Sequence, residues 1–298
     1  MLTDPLETYS LLFDNLKNCD KQSLLKTRDQ VADVVRKALT SSLQDVSRMP
    51  GVNDQKNVHL PILQYVAHLL DSRSIIFIGI IGSPGSGKST IASYWAIALK
   101  LGFGLDVLML SSDDFYLPKS ERVSRGYTWR GSPETHDISL FRDTIQNIYQ
   151  GKFPLVVPRF DPKLDDRGAP DLIEVKPRVC ILEGWMIGKL AEMACGSIRP
   201  FFDFLAYLNM SDIGAKHARF KRESMIYKES RGEMGFSPDE MSSFWLNSLK
   251  PNIDNFVKPY LNLSDLILEL GPGHRICSIA KPVCSGAITN ITRTYREK

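Results

Sequence analysis

Apolar positions along the chain follow two rhythms. Over residues 24–43 they recur at helical spacing, at Leu24, Leu25, Val31, Val34, Val35, Leu39 and Leu43. Met49-Pro50-Gly51 interrupts that pattern. A second helix is expected over residues 59–70, with Pro61 in its first turn. Residues 1–72 therefore read as a helical N-terminal extension, open between a packing element, a dimer contact and a lid. From Ser74 the rhythm changes. Residues 75–81 are a β-branched run that is apolar on both faces, the mark of a central parallel strand covered by helices on both sides. Residues 89–101 return to helical spacing, with Ile91, Trp95, Ala98 and Leu99 on one side. Further strands are expected at residues 107–110, 154–158, 179–182, 204–209 and 266–270. Strands alternating with helices predict an α/β fold, a mostly parallel sheet flanked by helices over residues 73–298. Two polar stretches, residues 118–133 and 161–171, are long for connections and follow strand ends, where open α/β sheets bind ligands.

Composition narrows the function classes. The chain has 298 residues, 43% hydrophobic and 24% charged, with a net charge of +3. This describes a globular protein without the clustered basic charge of a nucleic-acid binder. The longest apolar run falls far short of the ~20 residues that a membrane span needs. Nothing near Met1 resembles a leader, and a cytoplasmic location is expected. The five cysteines include no CxxC pair, so neither a disulfide framework nor a zinc site is indicated. His59, His68, His136, His217 and His274 share no metal-ligand spacing. Only His136 sits in a polar cluster, Arg130-Gly131-Ser132-Pro133-Glu134-Thr135-His136-Asp137.

The sharpest signal is Gly82-Ser83-Pro84-Gly85-Ser86-Gly87-Lys88-Ser89, which fits G-x-x-x-x-G-K-[ST] without mismatch and is followed by Thr90. Glycines let the backbone come close to phosphates, and successive N–H groups at a helix N-terminus form an anion nest. Lys88 adds a point charge, and the Ser89 hydroxyl is placed to ligate Mg²⁺. The motif lies between a buried strand and an amphipathic helix, the context it requires. ATP and Mg²⁺ are the expected ligands.

Other strand ends carry acids. Ser111-Ser112-Asp113-Asp114-Phe115-Tyr116 offers a carboxylate that could take a hydroxyl proton or hold magnesium through water. Asp is equally common as a helix cap or in an Asx-turn, and two neighbours can divide these roles. Glu183 follows four apolar residues, as in the second acidic strand of phosphate-loop enzymes, and Gly184 then permits a tight bend. Residues 216–231 read as a basic helix. Arg219 and Arg222 share a face there, and Glu223 is spaced to pair with Arg219. That helix is either a solvated face or a lid that closes over a nucleotide.

The ordered set of motifs resembles the P-loop kinase group that includes phosphoribulokinase, uridine kinase and bacterial pantothenate kinase. Within it the chain looks most like the D-glycerate 3-kinase family. The resemblance rests on the phosphate loop, Ser112-Asp113-Asp114-Phe115-Tyr116-Leu117, Arg130-Gly131 with His136-Asp137, Val157-Pro158-Arg159-Phe160-Asp161, Leu182-Glu183-Gly184-Trp185-Met186-Ile187-Gly188, and Lys258-Pro259-Tyr260-Leu261. Residues 1–72 lie outside the shared core. The resemblance implies that Asp113 is the catalytic base, that Glu183 lies near magnesium, and that Arg219 and Arg222 belong to a lid. It also implies that Tyr116, Arg130, His136, Arg159 and Asp161 line the acceptor pocket. A carboxylated acceptor would suit a bidentate guanidinium from Arg130 or Arg159.

The expected activity is phosphoryl transfer from ATP to a small hydroxylated molecule, D-glycerate by the resemblance. The rivals are the same chemistry on pantothenate, a nucleoside or a sugar, and a nucleotide-dependent switch using residues 1–72 as its partner surface.

Overall fold

The structure is a computed structural model that describes residues 5–13, 18–41, 49–127, 129–199, 201–232 and 234–282. Leu43 and Cys284 lie outside these residues. Six strands form the main sheet: β1 (Ile76–Gly82), β2 (Val107–Ser111), β7 (Val179–Glu183), β8 (Phe204–Met210), β9 (Leu266–Leu270) and β10 (Ile276–Ala280). Their order is β10-β9-β8-β1-β7-β2, with only the β9–β10 pair antiparallel. β1 is central and buried along its whole length. The fold is a mostly parallel sheet flanked by helices.

Alternation along β1 divides the core. Ile75, Phe77 and Ile81 join one apolar cluster with α7 (Ile138–Gln150) and α8 (Ile187–Cys195). Ile76, Ile78 and Ile80 point the other way. They meet Tyr94 and Trp95 of α5 (Lys88–Phe103) and a layer from the N-terminal helices. That layer consists of α1 (Pro5–Leu12), α2 (Asn18–Ser41), and α3 (Val52–Asp54), which runs through a wider turn into α4 (Leu60–Leu69). It contributes Leu12, Val31, Val35, Leu60, Leu63 and Val66 to the buried cluster. A central parallel strand must be covered on both faces, and residues 5–70 close one of them. His59 anchors the layer to α5, where its Nδ1 accepts from Trp95 Nε1 at 3.0 Å.

Smaller elements occupy the polar stretches. Residues 118–133 hold α6 (Lys119–Ser124), and residues 155–173 fold into two ribbons. β3 (Leu155–Val157) pairs antiparallel with β6 (Asp171–Ile173), and β4 (Phe160–Asp161) with β5 (Asp166–Arg167). The strand expected at 154–158 thus stands outside the main sheet. Its burial explains this: Leu155 and Val156 are not buried, unlike the residues of β1 and β7. α9 (Asp212–Glu229) follows β8, and α10 (Pro238–Phe244) and α11 (Lys250–Phe256) precede β9. No described helix is long and apolar enough to cross a membrane.

Candidate active site

Sheet register brings three strand ends together. β7 lies between β1 and β2, so Glu183 is opposite both Ile80 and Ser111. Gly184 carries φ +152°, and a Cβ there would lie 2.1 Å from Ser112 Oγ. Only glycine lets the end of β7 pass this close to the turn bearing Asp113. Glu183 Oε1 accepts from Ser89 Oγ at 2.9 Å. Burial pushes the Glu183 carboxyl above its ordinary range, opposed by the Lys88 ammonium and the Ser89 bond.

Gly82 ends β1, and a short loop leads to Lys88 at the start of α5. Gly85 takes φ +86°, a left-handed conformation open to glycine at little cost. Lys88 is buried and its Nζ donates to Ser83 O at 2.9 Å. Burial lowers the Lys88 ammonium to about 8, with Arg222 and Arg219 adding to the effect and Glu183 and Asp113 opposing it. Ser83 and Ser86 are buried, while Pro84 and Thr90 are half-buried on either side. The Ser86 hydroxyl is buried without a partner. Such an orphan calls for a ligand, and a phosphate oxygen fits.

The two neighbouring aspartates have different surroundings. Asp114 Oδ2 accepts from Ser111 N at 2.9 Å, closing a capping box over the 3₁₀ turn Ser112–Phe115. Asp114 also accepts from Arg159 at 3.0 Å and from Phe160 N at 3.1 Å. Asp113 receives one long bond from Ser112 Oγ, at 3.3 Å. Its charge acts on Lys88, Glu183, Tyr116, His136 and Arg219. Asp114 is therefore the structural member of the pair, and Asp113 faces the site.

α9 lies directly on the phosphate loop. A Cβ on Gly85 would stand 3.2 Å from Ala218 Cβ and 3.3 Å from Arg219 N. Ser211 caps the helix by accepting from Gly214 N. Its first turn is anchored through Asp212, which pairs with Lys258 at 3.0 Å and Lys250 at 3.3 Å. Arg219 pairs with Glu223 at 2.8 Å, as their spacing predicts, and its buried Nε has no partner.

The expected acceptor-side residues separate into two groups. Tyr116 and His136 form an isolated antiparallel bridge, and their rings lie 4.3 Å apart. Arg130 sits 5.0 Å from the Phe160 ring centroid and pairs with Asp165, and its charge reaches both Tyr116 and Arg219. The Asp113 charge acts on both Tyr116 and His136. Arg159 and Asp161 are engaged elsewhere. Arg159 donates to Asp171 at 2.7 Å, Met109 O at 3.0 Å and Asp114, and Asp161 accepts from Lys163 N within its own hairpin. Arg159, one of the two guanidinium candidates for an acceptor carboxylate, here supplies the counter-charge of buried Asp114.

No family model matches the chain. The uridine kinase of Brevibacillus brevis is 30% identical to it over 205 residues, covering 67% of this chain and 87% of the relative. The chain belongs to the phosphoribulokinase, uridine kinase and pantothenate kinase-like superfamily of P-loop kinases. Within this superfamily the pantothenate kinase of Lacticaseibacillus casei is 24% identical over 251 residues, covering 79% of this chain and 76% of the relative. Among solved structures, D-glycerate 3-kinase from Cryptococcus neoformans superposes with a TM-score of 0.56 at 16% identity, over 87% of this chain and 99% of that one. This likeness is one of fold.

Three residues of this P-loop kinase escaped the sequence reading. His274, in the turn after β9, places Nε2 2.6 Å from Gly85 O, and its ring lies 3.3 Å from where a Gly87 side chain would begin. Trp185 packs where a Gly131 side chain would start, its ring 2.5 Å from that position, so it lies against the Arg130-Gly131 turn. Asp165 gathers Lys119, Arg122 and Arg130 and ties the two polar stretches together. Gly271-Pro272-Gly273 did signal a turn before His274. What it closes on depends on strand order, which no local pattern carries.

Proposed function

We propose that the chain is an ATP-dependent kinase for a small hydroxylated acceptor, D-glycerate, with 3-phosphoglycerate as product. The observation that carries the transfer reading is the freedom of Asp113 beside Lys88 and Glu183, while Asp114 is held by Arg159 and the Ser111 and Phe160 amides. The acceptor reading rests on the Asp-Asp-Phe-Tyr, Arg-Gly and Glu-Gly-Trp-Met segments, in which the charges of Asp113 and Arg130 both act on Tyr116 and Trp185 packs on Gly131.

The loop amides, Lys88 and the orphan Ser86 hydroxyl bind the triphosphate. Ser89 and Glu183 would hold Mg²⁺, with Asp113 within reach through water, and ATP with this ion supplies the phosphoryl group and a counter-charge. Asp113 takes the proton of the acceptor hydroxyl as its oxygen attacks in line. Arg219, whose backbone α9 holds against Gly85, and Arg222, whose charge acts on Lys88, neutralise charge on the transferring group. Arg130 offers a guanidinium to the acceptor carboxylate by exchanging Asp165 for it.

A second acceptor class is favoured by the relatives, which are named for uridine and pantothenate. A coupled ADP-release assay over D-glycerate, uridine, pantothenate and simple sugars tests both. Turnover of D-glycerate with 3-phosphoglycerate formed is the expected result. Turnover of another alcohol without D-glycerate overturns the acceptor. Hydrolysis that no acceptor stimulates overturns the kinase.

A further inference from the structure

His136 is 4% exposed and held from both sides. Leu117 N donates to Thr135 O at 2.9 Å and Asp137 N to Phe115 O at 2.8 Å. These bonds fix the His136 backbone alongside the turn that bears Asp113. Its Nδ1 lies 2.9 Å from Ser132 O. A carbonyl only accepts, so Nδ1 carries the hydrogen. Burial lowers the ring to about 4, the Asp113 charge opposing, so it is neutral near pH 7. Nε2 is then a lone-pair acceptor, and it is buried with no partner. The Tyr116 ring lies tilted against the His136 ring, with the two centroids 4.3 Å apart.

A buried acceptor without a donor is costly, and the Asp113 carboxylate acts on this ring. A carboxylate or phosphate oxygen there would set acceptor against acceptor. A hydroxyl can donate. We propose that His136 Nε2 accepts a hydrogen bond from a second hydroxyl of the acceptor, the one that is not phosphorylated, so that the site selects a diol and turns the acceptor carboxylate away from His136 toward Arg130. This inference rests on the kinase reading and deepens it. For D-glycerate the group read is the 2-hydroxyl.

The test compares D-glycerate with 3-hydroxypropionate, which keeps the carboxylate and the reacting hydroxyl but lacks the 2-hydroxyl. Wild type should favour D-glycerate in kcat/KM by a factor on the order of 10²–10⁴. His136→Phe keeps the ring against Tyr116 but removes the lone pair. It should bring the preference within about tenfold, with the loss confined to D-glycerate and KM for ATP unchanged. His136→Gln, which can place an oxygen near the Nε2 position, should recover part of the preference. Equal losses on both acceptors in His136→Phe would make His136 a scaffold residue and overturn the proposal, as would a wild type indifferent to the 2-hydroxyl. A readout without any variant is the ¹⁵N resonance of His136 Nε2 in wild type with ADP. It should move upfield with D-glycerate and stay in place with 3-hydroxypropionate; no movement with either overturns the proposal. If wild type uses neither acid, the D-glycerate reading fails alone. The alcohol it does use, compared with its analogue lacking the neighbouring hydroxyl, then decides His136.

Discussion

Arg159 donates to Asp114 at 3.0 Å, and this bond sets the surroundings of two adjacent aspartates apart. With the Ser111 and Phe160 amides it fills the Asp114 carboxylate and leaves Asp113 to the site. Asp113→Asn should therefore leave ATP affinity nearly intact and lower kcat by a factor on the order of 10²–10⁴. Asp114→Ala should act on the fold, lowering unfolding free energy by about 3 kcal/mol because Arg159 loses a partner in a largely buried setting. Urea unfolding and steady-state kinetics on both variants separate the two. An Asp113→Asn enzyme that loses ATP affinity as much as kcat would make Asp113 a metal organiser instead.

Gly85 belongs to the phosphate loop and also lies against α9. A side chain would strain the backbone at φ +86° and press on Ala218 and the Arg219 amide. Gly85→Ala should raise KM for ATP and lower kcat, together costing kcat/KM about tenfold or more, the equivalent of roughly 1.4 kcal/mol. The melting temperature in the absence of nucleotide should change little. A variant with normal kinetics would mean that α9 stands away from the loop in the working enzyme.

His274 holds the phosphate loop from the far end of the described chain. Its Nε2 meets Gly85 O at 2.6 Å, so His274→Ala frees that carbonyl and opens one wall beside Gly87. KM for ATP should rise about fivefold to tenfold, consistent with the net worth of one hydrogen bond plus packing. KM for the acceptor should stay constant. Equal rises in both would place His274 in a general stabilising role.

His59 makes stability depend on pH. Burial lowers its ring from the ordinary 6.5 to about 3, so the folded protein keeps it neutral while an unfolded chain protonates it below 6.5. Its contribution is complete above about pH 6.5 and is lost as pH falls from there toward 3, at about 1.4 kcal/mol per pH unit. His136 adds a similar loss down to about pH 4. His59→Asn keeps an acceptor for Trp95 and should flatten the acid limb by one histidine's share. Urea unfolding followed by tryptophan fluorescence at several pH values measures this. An unchanged slope would show that His59 does not set it.

The main strands and the phosphate loop were legible because their causes are local. Residues 75–81 are apolar on both faces, which suits a covered central strand. Gly82–Ser89 needs its residue types wherever it occurs. The Arg219–Glu223 pair follows from helical spacing alone. The polar stretches were harder. α6 and the two ribbons have little hydrophobic period, and charges such as Asp165 with Lys119, Arg122 and Arg130 hold them in place. Ion pairs between distant segments leave no rhythm in a sequence.

By itself, then, the sequence determined the covered parallel sheet, the phosphate-binding loop and the set of acids and arginines available for transfer, because each follows from spacing within a few residues. Tertiary structure decided how they are placed and paired. It gave Asp114 to Arg159, 45 positions away, brought His274 to Gly85 across 189, and closed the second face of the sheet with the N-terminal helices. Those outcomes depend on strand order and on which buried charges must be paired, and both are properties of the folded chain.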